Sequence, residues 1–191
     1  MKNTIKYLIL LIIYLVCGVN LQAQNYTFRN VVMSDGLSGL LVNAIYKDSE
    51  GFVWLGTDNC LDRFDGVKVR HYEFRGVDSG RKKRVNCITE TADNQLWVGN
   101  GIGLWRLNRA NGQLERIVPE KIDFAVNTLL PDGDILYIGT EKGLFIQKDG
   151  QLLQVLTDRN MLAACNRIMD LCLNEDKSAL WLATVQGLFS Y

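Results

Sequence analysis

The 191-residue chain is electrically balanced and rich enough in apolar residues to fold around a core. It has 21 Lys and Arg against 21 Asp and Glu, 48% hydrophobic residues, and 2 Pro beside 17 Gly. The lack of net positive charge excludes a polycation that binds nucleic acid or an anionic membrane, and the apolar content excludes a disordered chain. We therefore expect a folded protein.

Residues 1–23 have the organisation of a secretory signal peptide. Residues 1–6 are basic, residues 7–19 are almost uninterruptedly apolar, and the segment ends with the small residue Ala23. This pattern predicts an exported, periplasmic protein that is cleaved after Ala23. An uncleaved anchor and a lipoprotein attached through Cys17 are less favoured alternatives, because the apolar run is short against the roughly 20 residues that span a bilayer. We expect no membrane span after the leader.

Four cysteines follow the leader: Cys60, Cys87, Cys165 and Cys172. An even number in an exported chain permits disulfides, and the sequence leaves their pairing open. The spacings resemble no metal-site pattern such as a repeated C-x2-C, so we expect neither a metal nor another cofactor. The favoured interpretation places Cys87 and Cys172 as small core residues inside strands.

A period of about forty residues runs through the rest of the chain. Its anchors are Trp54, Trp97, Tyr137 and Trp181, spaced by 43, 40 and 44 residues. Two residues after each anchor stand Gly56, Gly99, Gly139 and Ala183; six after stand Cys60, Gly103, Gly143 and Gly187; seven after stand Leu61, Leu104, Leu144 and Leu188. The triplets Asn43-Ala44-Ile45, Asn86-Cys87-Ile88 and Asn127-Thr128-Leu129 open three units, and the fourth departs with Asp170. Such a period signals a repeat architecture.

Each unit predicts antiparallel strands joined by polar turns. In the first unit, residues 42–47, 52–56 and 61–64 are strand-like, and the middle strand is apolar on both faces. Strands of this kind must be covered above and below, as in the face-to-face blades of a β-propeller. We therefore predict an all-β chain of four propeller blades within residues 41–191, with an open stack of β-repeats as the alternative. The four anchors are expected to be buried.

Several local features are less regular than the anchor strands. Gly103, Gly143 and Gly187 fall in turns that favour a positive φ, so Cys60 in the same column means a different turn or mild strain. Residues 159–173 also fit one face of a helix, but the repeat favours a strand at about residues 168–173. Residues 24–40 are expected to form a lead-in, with a strand at residues 26–33 outside the repeat.

Residues 43–45 (NAI), 48–57 (DSEGFVWLGT) and 61–66 (LDRFDG) resemble the two-component regulator propeller repeat. Residues 34–38 (SDGLS), just after the leader, resemble the start of the sensor region in hybrid two-component systems of gut Bacteroidetes. The resemblance implies two seven-bladed periplasmic propellers, a β-sandwich, one membrane span, and cytoplasmic kinase, receiver and DNA-binding domains. It also implies that glycans or their breakdown products are the ligands and that binding regulates polysaccharide-utilisation genes.

The chain holds only four repeats and none of the kinase, receiver or DNA-binding parts. The resemblance therefore implies an amino-terminal sensor piece, an open arc of a seven-bladed propeller whose partners are the remaining sensor domains, attached to the inner membrane through them. An open arc leaves apolar blade faces and strand edges uncovered, so we expect marginal stability and aggregation of the isolated chain.

We therefore predict a ligand-sensing segment for an oligosaccharide, without enzymatic activity in this chain. The alternatives are a protein-interaction scaffold and, less favoured, a glycosidase-like propeller. The periodic acids Asp48, Glu50, Asp93, Asp132 and Asp176 are interpreted as turn residues on separate blades rather than as a catalytic pair. His71 is expected to lie at the surface without a partner, and the basic run at residues 81–84 to be a solvated connection. No catalytic or ligand-binding residue is identified.

Overall fold

A computed structural model describes residues 4–7, 28–77, 83–117, 122–155 and 167–191. The chain divides into two compact units, Met1–Asn30 and Val31–Tyr191. In the first unit, residues 4–7 are helical, and the rest of the expected leader lies outside the described residues. Among the residues described, no helix is both long and apolar enough to cross a membrane.

The second unit consists of a 3₁₀ helix, Met33–Asp35, followed by four antiparallel up-and-down sheets. Blade 1 holds β1 (Val42–Lys47), β2 (Val53–Thr57), β3 (Leu61–Phe64) and β4 (Val69–Tyr72). Blade 2 holds β5 (Val85–Glu90), β6 (Leu96–Asn100), β7 (Gly103–Asn108) and β8 (Gln113–Ile117). Blade 3 holds β9 (Val126–Asp132), β10 (Ile135–Thr140), β11 (Gly143–Lys148) and β12 (Gln151–Gln154). Blade 4 holds β13 (Ile168–Leu173), β14 (Leu180–Thr184) and β15 (Gly187–Ser190).

The predicted all-β fold of propeller blades is confirmed. The first strands contact one another in series, β1 with β5, β5 with β9 and β9 with β13, as strands beside a propeller axis do. The strand expected near residues 168–173 is β13, and residues 159–166 of that ambiguous stretch fall in a part of the chain that is not described.

The strand expected at residues 26–33 is not formed where the chain is described. Residues 28–32 have no regular secondary structure, and Met33 begins the short 3₁₀ helix. A strand is stable only when a neighbouring strand takes its backbone hydrogen bonds, and none of the four sheets includes this segment. The expectation was therefore wrong for residues 28–33.

Three apolar cores lie between successive blades. The core between blades 1 and 2 contains, among others, Trp54, Leu61, Tyr72, Ile88, Leu96, Val98 and Trp105. The core between blades 2 and 3 contains Trp97, Leu104, Val126, Leu136, Ile138, Phe145 and Leu152. The core between blades 3 and 4 contains Leu144, Ile168, Leu171, Leu180 and Leu182, with Tyr137 packed against it. Coverage on both sides explains why the middle strands of blades 2 and 3 are apolar on both faces.

Close approach of the blades accounts for the glycines two residues after the anchors. A Cβ at Gly56 would lie closer than 3.0 Å to Val85, the first residue of the next blade. The same overlap would occur between Gly99 and Val126, and between Gly139 and Ile168. The glycine column therefore marks the positions where one blade meets the first side chain of the next blade's first strand.

The turn glycines behave as expected, since Gly143 and Gly187 have φ values of +111° and +128°. Cys60 in the same column does not have a positive φ, so its turn differs and the residue is not strained. Thr57 closes that turn, because its Oγ1 accepts the Cys60 N–H at 3.1 Å and donates to the Cys60 carbonyl at 2.9 Å.

The four anchors are not equally buried. Trp54 is fully buried and Trp97 is 6% exposed, which confirms the expectation for blades 1 and 2. Tyr137 is partly buried, whereas Trp181 is 40% exposed. The expectation was wrong for Trp181 because none of the described sheets covers the face of blade 4 on which it lies.

Candidate functional site

A cleft of about 470 Å³ opens where the first strands of the blades begin. We call it the inner-strand cleft, and its lining residues are Asn43, Arg84, Asn86, Gly101, Ala125, Asn127, Glu141, Arg167 and Met169. All four blades contribute to this lining. Any ligand held there is therefore in contact with several repeats at once.

The cleft is built on a bulge that recurs in every first strand. The pairing register shifts around Asn43, Asn86, Asn127 and Met169, so the backbone carries one extra residue at each of these points. A bulge re-aims the side chain of the extra residue. In blades 2 and 3 the amide reaches the next blade, with Asn86 Nδ2 donating to the Val126 carbonyl at 2.9 Å and Asn127 Nδ2 to the Ile168 carbonyl at 2.7 Å.

Asn43 departs from this pattern. Its Nδ2 is buried, yet no partner for it lies within hydrogen-bond range among the described residues. Buried side-chain donors in folded proteins are normally paired with protein, water or ligand. Asn43 therefore lines the inner-strand cleft and carries an amide that the described blades leave unpaired.

Charge in the inner-strand cleft is mixed. Arg84 and Arg167 stand at the same repeat position, immediately before the first strands of blades 2 and 4, and both are exposed. Glu141 accepts the Ala125 N–H at 3.3 Å and places a carboxylate in the same lining. Guanidinium and amide donors together with a carboxylate acceptor suit a ligand rich in hydroxyl or other oxygen groups. Sequence analysis identified Asn43, Asn86 and Asn127 only as openers of repeat units and Arg84 only as part of a solvated connection, because their convergence depends on the bulge.

A second concavity, of about 330 Å³, lies between blades 1 and 2 and is largely occupied by internal ion pairs. Arg109 of blade 2 contacts Glu50 and Glu90, each at 2.8 Å. Arg63 lies over the Phe52 ring at 4.1 Å. Arg109 is thus paired across the two blades, whereas Arg63 stacks on a ring and its buried Nε has no hydrogen-bond partner among the described residues. The ion pairs of Arg109 join the two blades.

The five periodic acids are used by turns and by contacts between blades. Asp48 is buried and accepts Trp54 Nε1 at 2.7 Å, while Asp132 of blade 3 pairs with Lys177 of blade 4. Asp93 and Asp176 accept hydrogen bonds inside their own turns. Glu50 forms an ion pair with Arg109, which also contacts Glu90 of blade 2.

His71 is not the partnerless surface residue that was expected. Its Nδ1 lies 2.7 Å from Asp62 Oδ1, and Cys60 Sγ donates to the same oxygen at 3.3 Å. Burial raises the pKa of the Cys60 thiol to about 12, so this group is a neutral thiol at physiological pH rather than a nucleophile. Sequence reasoning missed the cluster because Asp62 and His71 meet only through strand pairing.

The other cysteines also bear on the earlier expectations. Cys60, Cys87 and Cys172 are free, and Cys165 lies outside the described residues. Cys87 packs partly into the core between blades 2 and 3, and burial raises the pKa of its thiol to about 12. Cys172 is in a strand but exposed, so the core expectation was wrong for it. It lies in blade 4, directly opposite Trp181 in the β13–β14 register.

Comparison of the sequence with known families gives one match within the first blade. The model described as two component regulator propeller covers residues 36–59. Histidine kinase P4 of Formosa agariphila is 32% identical over 79 residues, which make up 41% of this chain and 6% of that protein. The chain thus spans a small part of that relative.

Solved structures resemble the whole series of blades. The extracellular domain of the putative hybrid two component system BT4673 from B. thetaiotaomicron has a TM-score of 0.69 and 21% identity. The match covers 81% of this chain and 22% of that one. Virginiamycin B lyase from Staphylococcus aureus has a TM-score of 0.58 and 16% identity over 78% of this chain and 55% of its own. At these identities the likeness establishes the propeller fold, which sensor domains and an enzyme share.

Proposed function

We propose that this chain, whose residues 36–59 are a two-component regulator propeller repeat, is the ligand-sensing propeller segment of an exported hybrid two-component sensor. Its ligand is an oligosaccharide or a related glycan product, and its response is regulation of polysaccharide utilisation. In this proposal residues 1–23 direct export to the periplasm, residues 24–40 lead into the propeller, and residues 41–191 carry the repeats. The remaining domains of the sensor are its partners and attach it to the inner membrane.

The observation that carries the proposal is the unpaired Asn43 amide in the inner-strand cleft. The oxygen of a sugar hydroxyl accepts a hydrogen bond from such an amide, and its O–H donates one to an acceptor such as the Glu141 carboxylate. Arg84 and Arg167 add donors on the exposed rim. This combination of donors and an acceptor supports the proposal of a polyhydroxylated ligand.

The position of the cleft also supports a sensing role. Asn43 belongs to blade 1 and Arg167 precedes blade 4, so a ligand that contacts both reports on how the blades between them are packed. A ligand shifts a conformational equilibrium only by its differential affinity for the two states. A site shared by all four blades provides that difference.

A protein-interaction role is the second candidate, and it rests on a different observation. Blade 4 exposes Met169, Trp181 and Leu188, which are 47%, 40% and 67% exposed. Exposed apolar side chains on one blade are typical of contacts with other protein segments. In a longer sensor this surface would pack against a neighbouring part of the same chain.

Calorimetric titration of the purified chain with plant and host oligosaccharides tests the proposal. We expect one member of the panel to bind, and we expect Arg84→Gln with Arg167→Gln to weaken that binding at least tenfold, a loss of about 1.4 kcal/mol. Arg75→Gln changes an exposed arginine outside the cleft and should leave affinity unchanged. Failure of every glycan to bind, or equal binding by the double variant, would overturn the proposal. Product analysis of the same mixtures tests the enzyme alternative.

A further inference from the structure

Blade 1 departs from the repeat at two positions that lie side by side in the structure. Cys60 occupies the column of the turn glycines Gly103, Gly143 and Gly187. Asp62 occupies the column of Trp105, Phe145 and Phe189, of which the first two are buried core aromatics. A fully buried carboxylate at an aromatic core position is costly unless its oxygens are satisfied. Its presence in blade 1 therefore needs a specific explanation.

Strand pairing brings a third polar side chain to this place. Asp62 of β3 is directly opposite His71 of β4, so both side chains project from the same face of blade 1. Cys60 precedes Asp62 by two residues and shares that face. The thiol sulfur, one carboxylate oxygen and one imidazole nitrogen all lie within 4.8 Å of one another.

The lead-in segment fixes the orientation of the carboxylate. Asp62 Oδ2 accepts hydrogen bonds from both the backbone N–H and the Oγ of Ser38, each at 2.8 Å. Asn59 Nδ2 holds Ser38 in turn by donating to its carbonyl at 2.7 Å. Because Ser38 occupies Oδ2, the other oxygen is directed at His71 and Cys60.

We propose that Cys60 Sγ, Asp62 Oδ1 and His71 Nδ1 bind one zinc-type divalent cation. Thiolate, carboxylate and imidazole are the side-chain ligands that zinc takes in proteins, and three of them leave a fourth coordination position open. The side chain of Asp62 is fully buried, whereas that of His71 is 47% exposed, so the open position faces solvent on the histidine side. This site is separate from the inner-strand cleft.

The distances fit with little movement. Ligand bonds of about 2.0–2.3 Å in a tetrahedral arrangement separate donor atoms by roughly 3.3–3.6 Å. The Cys60 Sγ to Asp62 Oδ1 distance is already 3.3 Å, while His71 Nδ1 lies 2.7 Å from the same oxygen. The half-exposed imidazole has to move away by less than about 1 Å, which its surface position allows.

Charge and protons balance on binding. Cys60 releases its thiol proton to solvent and binds as thiolate, so thiolate and carboxylate together neutralise the dication. His71 releases to solvent the Nδ1 proton that bonds Asp62 Oδ1, takes up a proton on Nε2, and binds through the Nδ1 lone pair as a neutral ligand. The hydrogen bonds that Ser38 donates to Asp62 Oδ2 remain in place and continue to orient the carboxylate.

The first test is a Co²⁺ titration of the full, reduced and chelator-treated chain, followed by competition with Zn²⁺. We expect one equivalent to bind and to produce thiolate-to-cobalt absorption in the near ultraviolet, which Zn²⁺ then abolishes. Cys60→Ser should remove the absorption, whereas Cys172→Ser, which changes an exposed cysteine elsewhere, should retain it. No stoichiometric binding, or an unchanged band in Cys60→Ser, would overturn the proposal.

Two further variants separate a metal site from a purely structural cluster. His71 is the single histidine of the chain, so His71→Gln removes all imidazole ligation, and we expect Zn²⁺ affinity to fall at least 100-fold. Ser38→Ala leaves every ligand in place but frees Asp62, and should weaken Zn²⁺ binding roughly 10–100-fold. Zn²⁺ should raise the melting temperature of the unmodified chain but not of His71→Gln. Equal Zn²⁺ affinity in His71→Gln and the unmodified chain would contradict the assignment.

Discussion

Blades 1 and 4 are built on the same repeat, but their anchor tryptophans lie in opposite environments. Trp54 is fully buried against blade 2, and its Nε1 donates to the buried Asp48. Trp181 is at the equivalent position of a sheet with the same strand order, yet it is 40% exposed. The repeat therefore determines the strand, and the neighbouring blade determines whether the anchor is buried.

The same comparison explains the change two residues after the anchor. Gly56 of blade 1 faces the Val85 side chain of blade 2 at a distance that leaves no room for a methyl group. Blade 4 has Ala183 at this position, on the face that none of the described sheets covers. Small size is needed only where a following blade approaches.

The largest expected effect comes from exchanging the anchors for alanine. Trp54→Ala removes a fully buried ring and leaves Asp48 without the indole donor, so we expect it to lower the free energy of unfolding by about 3–5 kcal/mol. Trp181→Ala should lower it by less than about 1 kcal/mol, because that ring already contacts water. Urea unfolding followed by circular dichroism measures both values. Equal losses in the two variants would show that blade 4 is covered in solution.

The second expectation concerns the glycine column. A methyl group at Gly99 would overlap Cys87 Sγ of its own blade and Val126 Cγ1 of the next blade. Gly99→Ala should therefore lower the free energy of unfolding by about 1–3 kcal/mol. The matched reverse change, Ala183→Gly on blade 4, relieves no contact of this kind and should cost less than about 1 kcal/mol. Thermal unfolding of the two variants provides the comparison. Tolerance of Gly99→Ala would mean that the blades are more loosely packed than the structure shows.

Much of this fold could be predicted from the sequence because the repeat is local. The middle strands, the turn glycines and the strand at β13 follow from periodicity alone. The burial of the anchors was predicted less well, because the repeat favours a buried ring at Trp181 whereas the expected open arc leaves a blade face uncovered. Burial depends on contacts between repeats, which the period itself does not describe.

The candidate sites were harder to predict because they arise from long-range geometry. The donors of the inner-strand cleft converge through bulges that only strand pairing reveals, and Asn43 differs from Asn86 only in its hydrogen bond. Asp62 and His71 meet through the β3–β4 register, which cysteine spacing could not show. The binding capacity of Asn43, Asp62 and His71 depends on which side chains lie next to them in the folded chain, and the local sequence does not show this.

The third expectation compares two asparagines at one repeat position. Asn127→Ala removes the bond to the Ile168 carbonyl, so we expect a loss of about 1 kcal/mol in the free energy of unfolding. Asn43→Ala removes an amide without a partner among the described residues and should leave stability unchanged within about 0.5 kcal/mol. Denaturant titration of both variants measures the difference. A large loss in Asn43→Ala would show that its amide supports the fold rather than serving a ligand.

The smallest expected effect on stability comes with the clearest effect on solubility. Leu188 of blade 4 is 67% exposed. Its counterpart on blade 3, Leu144, is 2% exposed because blade 4 covers it. Leu188→Lys places a charge on the uncovered apolar face, and we expect less aggregation with a change in unfolding free energy below about 0.5 kcal/mol. Gln151→Lys adds the same charge at an exposed position of blade 3 and controls for net charge.

Light scattering against protein concentration distinguishes the two lysine variants. If the face of blade 4 drives association, Leu188→Lys should remain dispersed at concentrations where Gln151→Lys and the unmodified chain scatter strongly. Leu144→Lys, by contrast, should unfold the protein because it buries a charge between blades 3 and 4. If the unmodified chain is monomeric and unfolds cooperatively, the face of blade 4 does not drive association. That result would mean that blades 1 and 4 close on each other in solution.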